Sequence, residues 1–125
     1  MRTSEAEGLG NARIATTMGF MHAPAREADF PSSPWTGFFQ VSGRRIPEDL
    51  ELTFDGGVIR GSGWDRHGDF VIKGCYDLDS REVRWTKKYA TGRKVLYRGF
   101  REGRGIWGTW REDAQKHAGF LVWPI

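Results

Sequence analysis

IRGSGWDRHGDFVIKGCYDLDSREVRWTKKY, residues 59–89, alternates its side chains at a period of two with only short polar interruptions. That period belongs to antiparallel strands. One parity collects Ile59, Gly61, Gly63 and Asp65, then Phe70, Ile72, Gly74 and Tyr76, then Val83, Trp85, Lys87 and Tyr89. The other carries Arg60, Ser62, Lys73, Arg84, Thr86 and Lys88. A sheet with one apolar, aromatic, glycine-rich face must bury that face, and closure into a barrel does so without leaving edges.

Working outward, Trp35–Ser42 and Asp49–Asp55 read as strands, with Gly43 to Pro47 as their connection. Asp55-Gly56-Gly57 is a hairpin signal because its glycines accept positive φ. Val58–Asp65, Asp69–Asp77, Arg81–Tyr89, Arg93–Arg101, Ile106–Glu112 and Ala118–Pro124 follow, separated by short turns. The expectation is an all-β, eight-stranded antiparallel up-and-down (meander) barrel over residues 34–125. Residues 1–33 lack a period and end in Pro31-Ser32-Ser33-Pro34, so they read as a mobile tail or linker. Within them Ala12 to Met21 suits a short helical turn, and Phe20, Met21 and Phe30 are candidates to dock on the barrel. Met18 and Met21 are alternative starts.

A chain of 125 residues suits a single domain. Its one cysteine, Cys75, excludes an internal disulfide and fits a reducing compartment. No apolar run approaches the length that crosses a bilayer as a helix, roughly 18 to 20 residues, and no secretory core precedes the barrel. The expected location is cytoplasmic. The net charge of +3 is uneven: residues 1–33 hold three basic and four acidic side chains, while residues 34–125 hold sixteen basic and twelve acidic. Those cations are spread over every strand, so the expectation is neither a nucleic-acid nor a membrane partner.

With these residues in view, the chain resembles the avidin and streptavidin barrel. Val83-Arg84-Trp85-Thr86-Lys87-Lys88-Tyr89, Val95-Leu96-Tyr97-Arg98-Gly99 and Ile106-Trp107-Gly108-Thr109-Trp110 stand in the order of that family's V-x-W-x-x-x-Y, aromatic-x-Gly and I-x-x-x-W strands. Ile59-x-Gly61 and Gly74-x-Tyr76-Asp77 are similar to its L-T-G and G-x-Y-D segments. The resemblance covers residues 35–123. It implies a lipocalin-like ligand-binding barrel with Trp85, Tyr97 and Trp110 as aromatic walls. It does not carry over the biotin site. Gly37, Gly63 and Val95 stand where the family has asparagine, tyrosine and threonine, Asp65 replaces a serine, and the last strand lacks an aspartate. Gly119 to Pro124 is also similar to the G-F-x-x-W-P tail of small bacterial proteins.

Other constellations are weaker. Asp65-Arg66-His67-Gly68-Asp69 offers oxygen and nitrogen ligands, but in a hairpin it reads as a polar turn. No histidine falls on the inward parity, as a haem-binding barrel requires. Cys75 lies on the outward parity, and no Ser, His and acid set is placed for nucleophilic catalysis. Asp65 and Lys87 share the inward parity and form a candidate charged pair that orients a ligand. The leading expectation is a non-enzymatic small-molecule binding protein, without cofactor or metal, holding a small apolar or aromatic ligand other than biotin. Its candidate contacts are Trp85, Tyr97, Trp110, Asp65, Lys87, Tyr76 and Trp35. The rival is a filled barrel that serves as a protein-interaction or homo-oligomerisation module through outward Trp64, Val71, Cys75, Leu96 and Trp107. An open or a packed lumen separates the two.

Overall fold

The computed structural model describes residues 23–125. The short helix expected at Ala12 to Met21, the docking of Phe20 and Met21, and the alternative starts lie outside the described residues. Eight strands follow in order: β1 (Ser33–Val41), β2 (Arg44–Asp55), β3 (Val58–Asp65), β4 (Gly68–Tyr76), β5 (Glu82–Tyr89), β6 (Lys94–Glu102), β7 (Gly105–Arg111) and β8 (His117–Pro124). Each pairs antiparallel with the next, and β8 returns to β1, so the sheet is a closed meander barrel. The fold expectation is met.

Turn chemistry sets the register. Gly56 and Gly57 both adopt positive φ, 56° and 86°, which a tight two-residue hairpin demands. Ser42 and Gly43 do the same at 50° and 79°. That second turn corrects the sequence reading, which gave Gly43 to Pro47 to a connection. β2 instead begins at Arg44 and continues the inward parity through Ile46 and Glu48. Pro47 sits one residue past the end of the β2–β3 ladder, where Glu48 faces Asp65. A strand tolerates a missing N–H at such a position.

The inward side chains fill the barrel. Trp85 stacks on Tyr97 with ring centroids 5.3 Å apart, and Phe120 meets both edge-on at 5.5 and 4.8 Å. Leu50, Leu52, Ile59, Ile72, Val83, Ile106 and Val122 complete the buried middle. The inward glycines do not open a ligand chamber. A Cβ on Gly63 would lie 2.8 Å from the Phe70 ring and against the carbonyl of Asp49. This glycine lets the sheet bend sharply while an aromatic ring lies across it.

One end of the barrel is closed by the chain that precedes it. Residues 23–32 were expected to belong to a mobile tail, but they form a plug around a short 3₁₀ turn at Glu27–Asp29. Phe30 is buried beside Phe54 and Tyr76, at centroid distances of 5.3 and 4.8 Å. The Ala25 N–H donates to the Leu78 carbonyl, Tyr76 donates its hydroxyl to Glu27, and Arg101 donates to the Asp29 carbonyl. The docking expected of Phe30 is met, while the lack of a period had hidden the order of the segment around it. A plug needs one or two anchoring residues, not a repeat.

Phe30→Ala should therefore cost about 3 kcal/mol and lower the melting temperature by about 10 °C, measured by calorimetry on the full chain. An unchanged melting temperature would remove the plug from the core.

Candidate functional site

The opposite end carries the chemistry. Glu48 on β2 lies directly across from Asp65 on β3, and Lys87 reaches both from β5. All three side chains are essentially inaccessible to solvent, at 1%, 3% and 0% exposure. The Lys87 ammonium donates to Asp65 Oδ2 at 2.7 Å, Glu48 Oε1 at 3.0 Å and the Tyr97 hydroxyl at 3.1 Å. Its three hydrogens are thereby satisfied. Around it stand the rings of Phe39 and Phe70, with centroids 4.3 and 4.4 Å away, and Tyr89 and Tyr97 slightly farther out. The barrel is built as an aromatic cage around its own ammonium group.

The two carboxylates are not equivalent. Asp65 accepts from Lys87, from the Tyr89 hydroxyl at 2.6 Å and from the His67 backbone N–H at 2.7 Å. Glu48 has Lys87 on Oε1, while its buried Oε2 has no hydrogen-bond partner. Burial raises the Glu48 pKa above the ordinary value of 4.5, and the nearby lysine only partly opposes this. Two ionised carboxylates beside one ammonium would leave a buried net charge of −1, which a low-dielectric interior penalises. Burial thus favours the protonated form of Glu48, while Asp65 receives three donors. Burial likewise pushes the Tyr97 and Tyr89 hydroxyls up, so both act as neutral donors and acceptors.

A cavity of about 430 Å³ opens at this end. Phe39, Tyr89, Tyr97 and Trp110 line it, with His67, Arg93 and Lys116 among its further residues. Tyr89 and Tyr97 join the cavity to the charges, since each lines the opening and hydrogen-bonds the buried group behind. The Trp110 indole is held by its N–H donating to the Gln40 carbonyl at 2.9 Å. Arg93 grips Glu112 through two bonds of 2.6 and 3.2 Å and holds its carboxyl below the usual range.

The residues singled out from sequence divide among three levels. Asp65 and Lys87 meet, as their shared parity implied, and Tyr97 and Trp110 join them at the open end. Trp85 lies mid-barrel, stacked on Tyr97. Trp35 and Tyr76 lie at the plugged end with Phe54. Glu48 was missed because it was placed outside the strand. The alternation Ile46, Glu48, Leu50, Leu52, Phe54 runs unbroken across Pro47 and was the available signal. The Asp65–Asp69 segment is a hairpin turn closed by the Asp65 carboxylate, and His67 lies between the Phe39 and Tyr89 rings, 6.2 Å from each. Among the described residues no group of three or more His, Cys, Asp or Glu side chains is placed to hold a metal ion, and no helix is long and apolar enough to cross a membrane. No protein-family model, curated protein or solved structure matches the chain.

Asp65→Asn should destabilise the barrel by up to about 3–5 kcal/mol, because it removes the shorter carboxylate contact of the Lys87 ammonium and leaves only Glu48 to balance it. Adding Lys87→Met should recover part of that loss, and a strictly additive pair would show that the two do not interact. The pH dependence has a definite sign. Below pH 4.5 Glu48 is protonated in both folded and unfolded chains. As pH rises, the unfolded chain releases this proton first, so stability falls until the folded chain releases it too. Glu48→Gln should flatten that decline in denaturant titrations from pH 4.5 upward; an unchanged slope would place the proton elsewhere.

Proposed function

We propose that this barrel binds a small planar aromatic molecule carrying a negative charge, at the open end. The observation that carries the reading is the cavity of about 430 Å³ walled by Phe39, Tyr89, Tyr97 and Trp110. Ligand sites are typically concave and mostly apolar, with a few placed polar groups. The rings supply stacking and burial. Lys116 and the Arg93–Glu112 pair give the opening a surplus of one positive charge, which suits a carboxylate or sulfonate outside the rings.

The packed Trp85, Tyr97 and Phe120 cluster fills the lumen, which on the sequence criterion favours the interaction-module reading over a ligand inside the barrel and leaves only the mouth for a small molecule. Buried Lys87 does not meet it directly. Its role is to fix Tyr97 and, through Asp65, Tyr89, so that the walls are set before binding and little ordering cost remains. Eight strands in meander order support the avidin-like reading, and the lost polar partners argue against biotin. Gly37 offers no side chain, and a Cβ there would strike the backbone of Leu121 and Val122.

The test uses 1-anilinonaphthalene-8-sulfonate as the probe, followed by fluorescence on folded protein at neutral pH. The expected dissociation constant is in the micromolar range, about −8 kcal/mol. Trp110→Ala should weaken it at least tenfold, while Trp123→Ala on the outer wall should not. Equal loss in both variants, or no binding, would overturn the proposal. Biotin measured by calorimetry should bind more weakly than about 1 μM; nanomolar binding would overturn the exclusion.

A further inference from the structure

The outside of the barrel carries a second feature, independent of the mouth cavity. The register sets outward residues of four strands side by side. One row runs Lys73, Thr86, Leu96, Arg111, and the next runs Cys75, Arg84, Arg98, Thr109. These eight residues line a depression of about 570 Å³, and no carboxylate is among its lining residues. Glu82 stands at its edge and accepts from Arg84 at 2.8 Å and Arg98 at 2.7 Å. Four cations that look scattered along the sequence thus converge on one patch. With strands about 4.8 Å apart, the span from Lys73 on β4 to Arg111 on β7 is about 14 Å.

The next row on the same wall is aromatic. Phe100, Trp107, Leu121 and Phe38 are successive cross-strand partners from β6 to β1. Trp107 is 48% exposed, and its indole N–H donates to Glu102 at 3.0 Å. Arginines lie over the rings at each side: Arg98 over Phe100 at 5.6 Å and Arg45 over Phe38 at 4.3 Å.

We propose that this wall binds single-stranded nucleic acid, with phosphates on Lys73, Arg84, Arg98 and Arg111 and a base stacked on Trp107. A cationic depression beside an exposed ring such as Trp107 is the arrangement by which sequence-tolerant single-strand binding works. Charge complementarity alone would admit any polyanion. The aromatic row selects a partner with unpaired, stackable faces, which a duplex hides and a lipid headgroup lacks. Glu82 orients the two arginines and limits the affinity.

The experiment is fluorescence anisotropy with fluorescein-labelled dT12 and rU12 between 50 and 200 mM salt, on the full chain. Binding should weaken with salt, and Lys73→Ala with Arg111→Ala should reduce the logarithmic salt slope by about 1.4, or 0.7 for each phosphate no longer neutralised. Trp107→Ala should weaken binding about tenfold with the slope unchanged, and Trp107→Phe should restore most of it. A duplex of the same length should bind more weakly than the single strand. The proposal is overturned if neither oligonucleotide binds, if the duplex binds as tightly, or if Trp107→Ala has no effect. It is equally overturned if vesicles of phosphatidylcholine and phosphatidylglycerol are bound while the oligonucleotides are not, which would make the wall a membrane surface.

Discussion

The Lys87 ammonium, held between two carboxylates inside four aromatic rings, is the constraint on which this barrel depends. An isolated charge in such a place would cost several kcal/mol or lose its proton. The fold escapes that cost only if β2, β3, β5 and β6 hold Glu48, Asp65, Lys87 and Tyr97 in one register. A slip of one residue on any of these strands would turn its charged or phenolic group to the outer wall and leave the others unmatched. Buried ion pairs are seldom the most effective way to stabilise a core, and their best-attested use is to specify register. Here the group sits where the packed middle of the barrel gives way to the mouth.

That position divides the molecule. Toward the plug, Phe30, Phe54 and Tyr76 make a dry aromatic cap, and Trp85, Tyr97 and Phe120 fill the middle. Toward the mouth, Tyr89 and Tyr97 hold the charges on one side and line a cavity on the other. Hydroxyls committed to the buried group tie the Tyr89 and Tyr97 rings to the cavity wall. The outer wall obeys a different logic, because outward residues need not balance. There the same register assembles cations and rings that sequence order keeps apart.

Much of this was legible in the amino-acid sequence. Alternating parity and glycine-bearing turns were enough for eight strands in meander order, and shared parity was enough to pair Asp65 with Lys87. Glu48 escaped because a proline beside it suggested a connection, although the inward alternation continues on both sides. Phe30 was a docking candidate and does dock, but the ordered course of residues 23–32 around it escaped because a single anchor leaves no period to read. Trp85 and Trp35 looked like cavity walls because parity reports that a side chain points inward but not how deep it lies. The basic wall escaped because cations were counted along the chain, whereas cross-strand register decides which of them are neighbours.

The central claim is that burial in this group outweighs the nearby ammonium and favours the protonated form of Glu48. Carboxyl ¹³C chemical shifts of Glu48, followed by NMR against pH in the folded chain, test it most directly. The account predicts a titration midpoint for Glu48 above the ordinary 4.5. A midpoint at or below that value would mean that Lys87 outweighs the cost of burial, which would contradict the account.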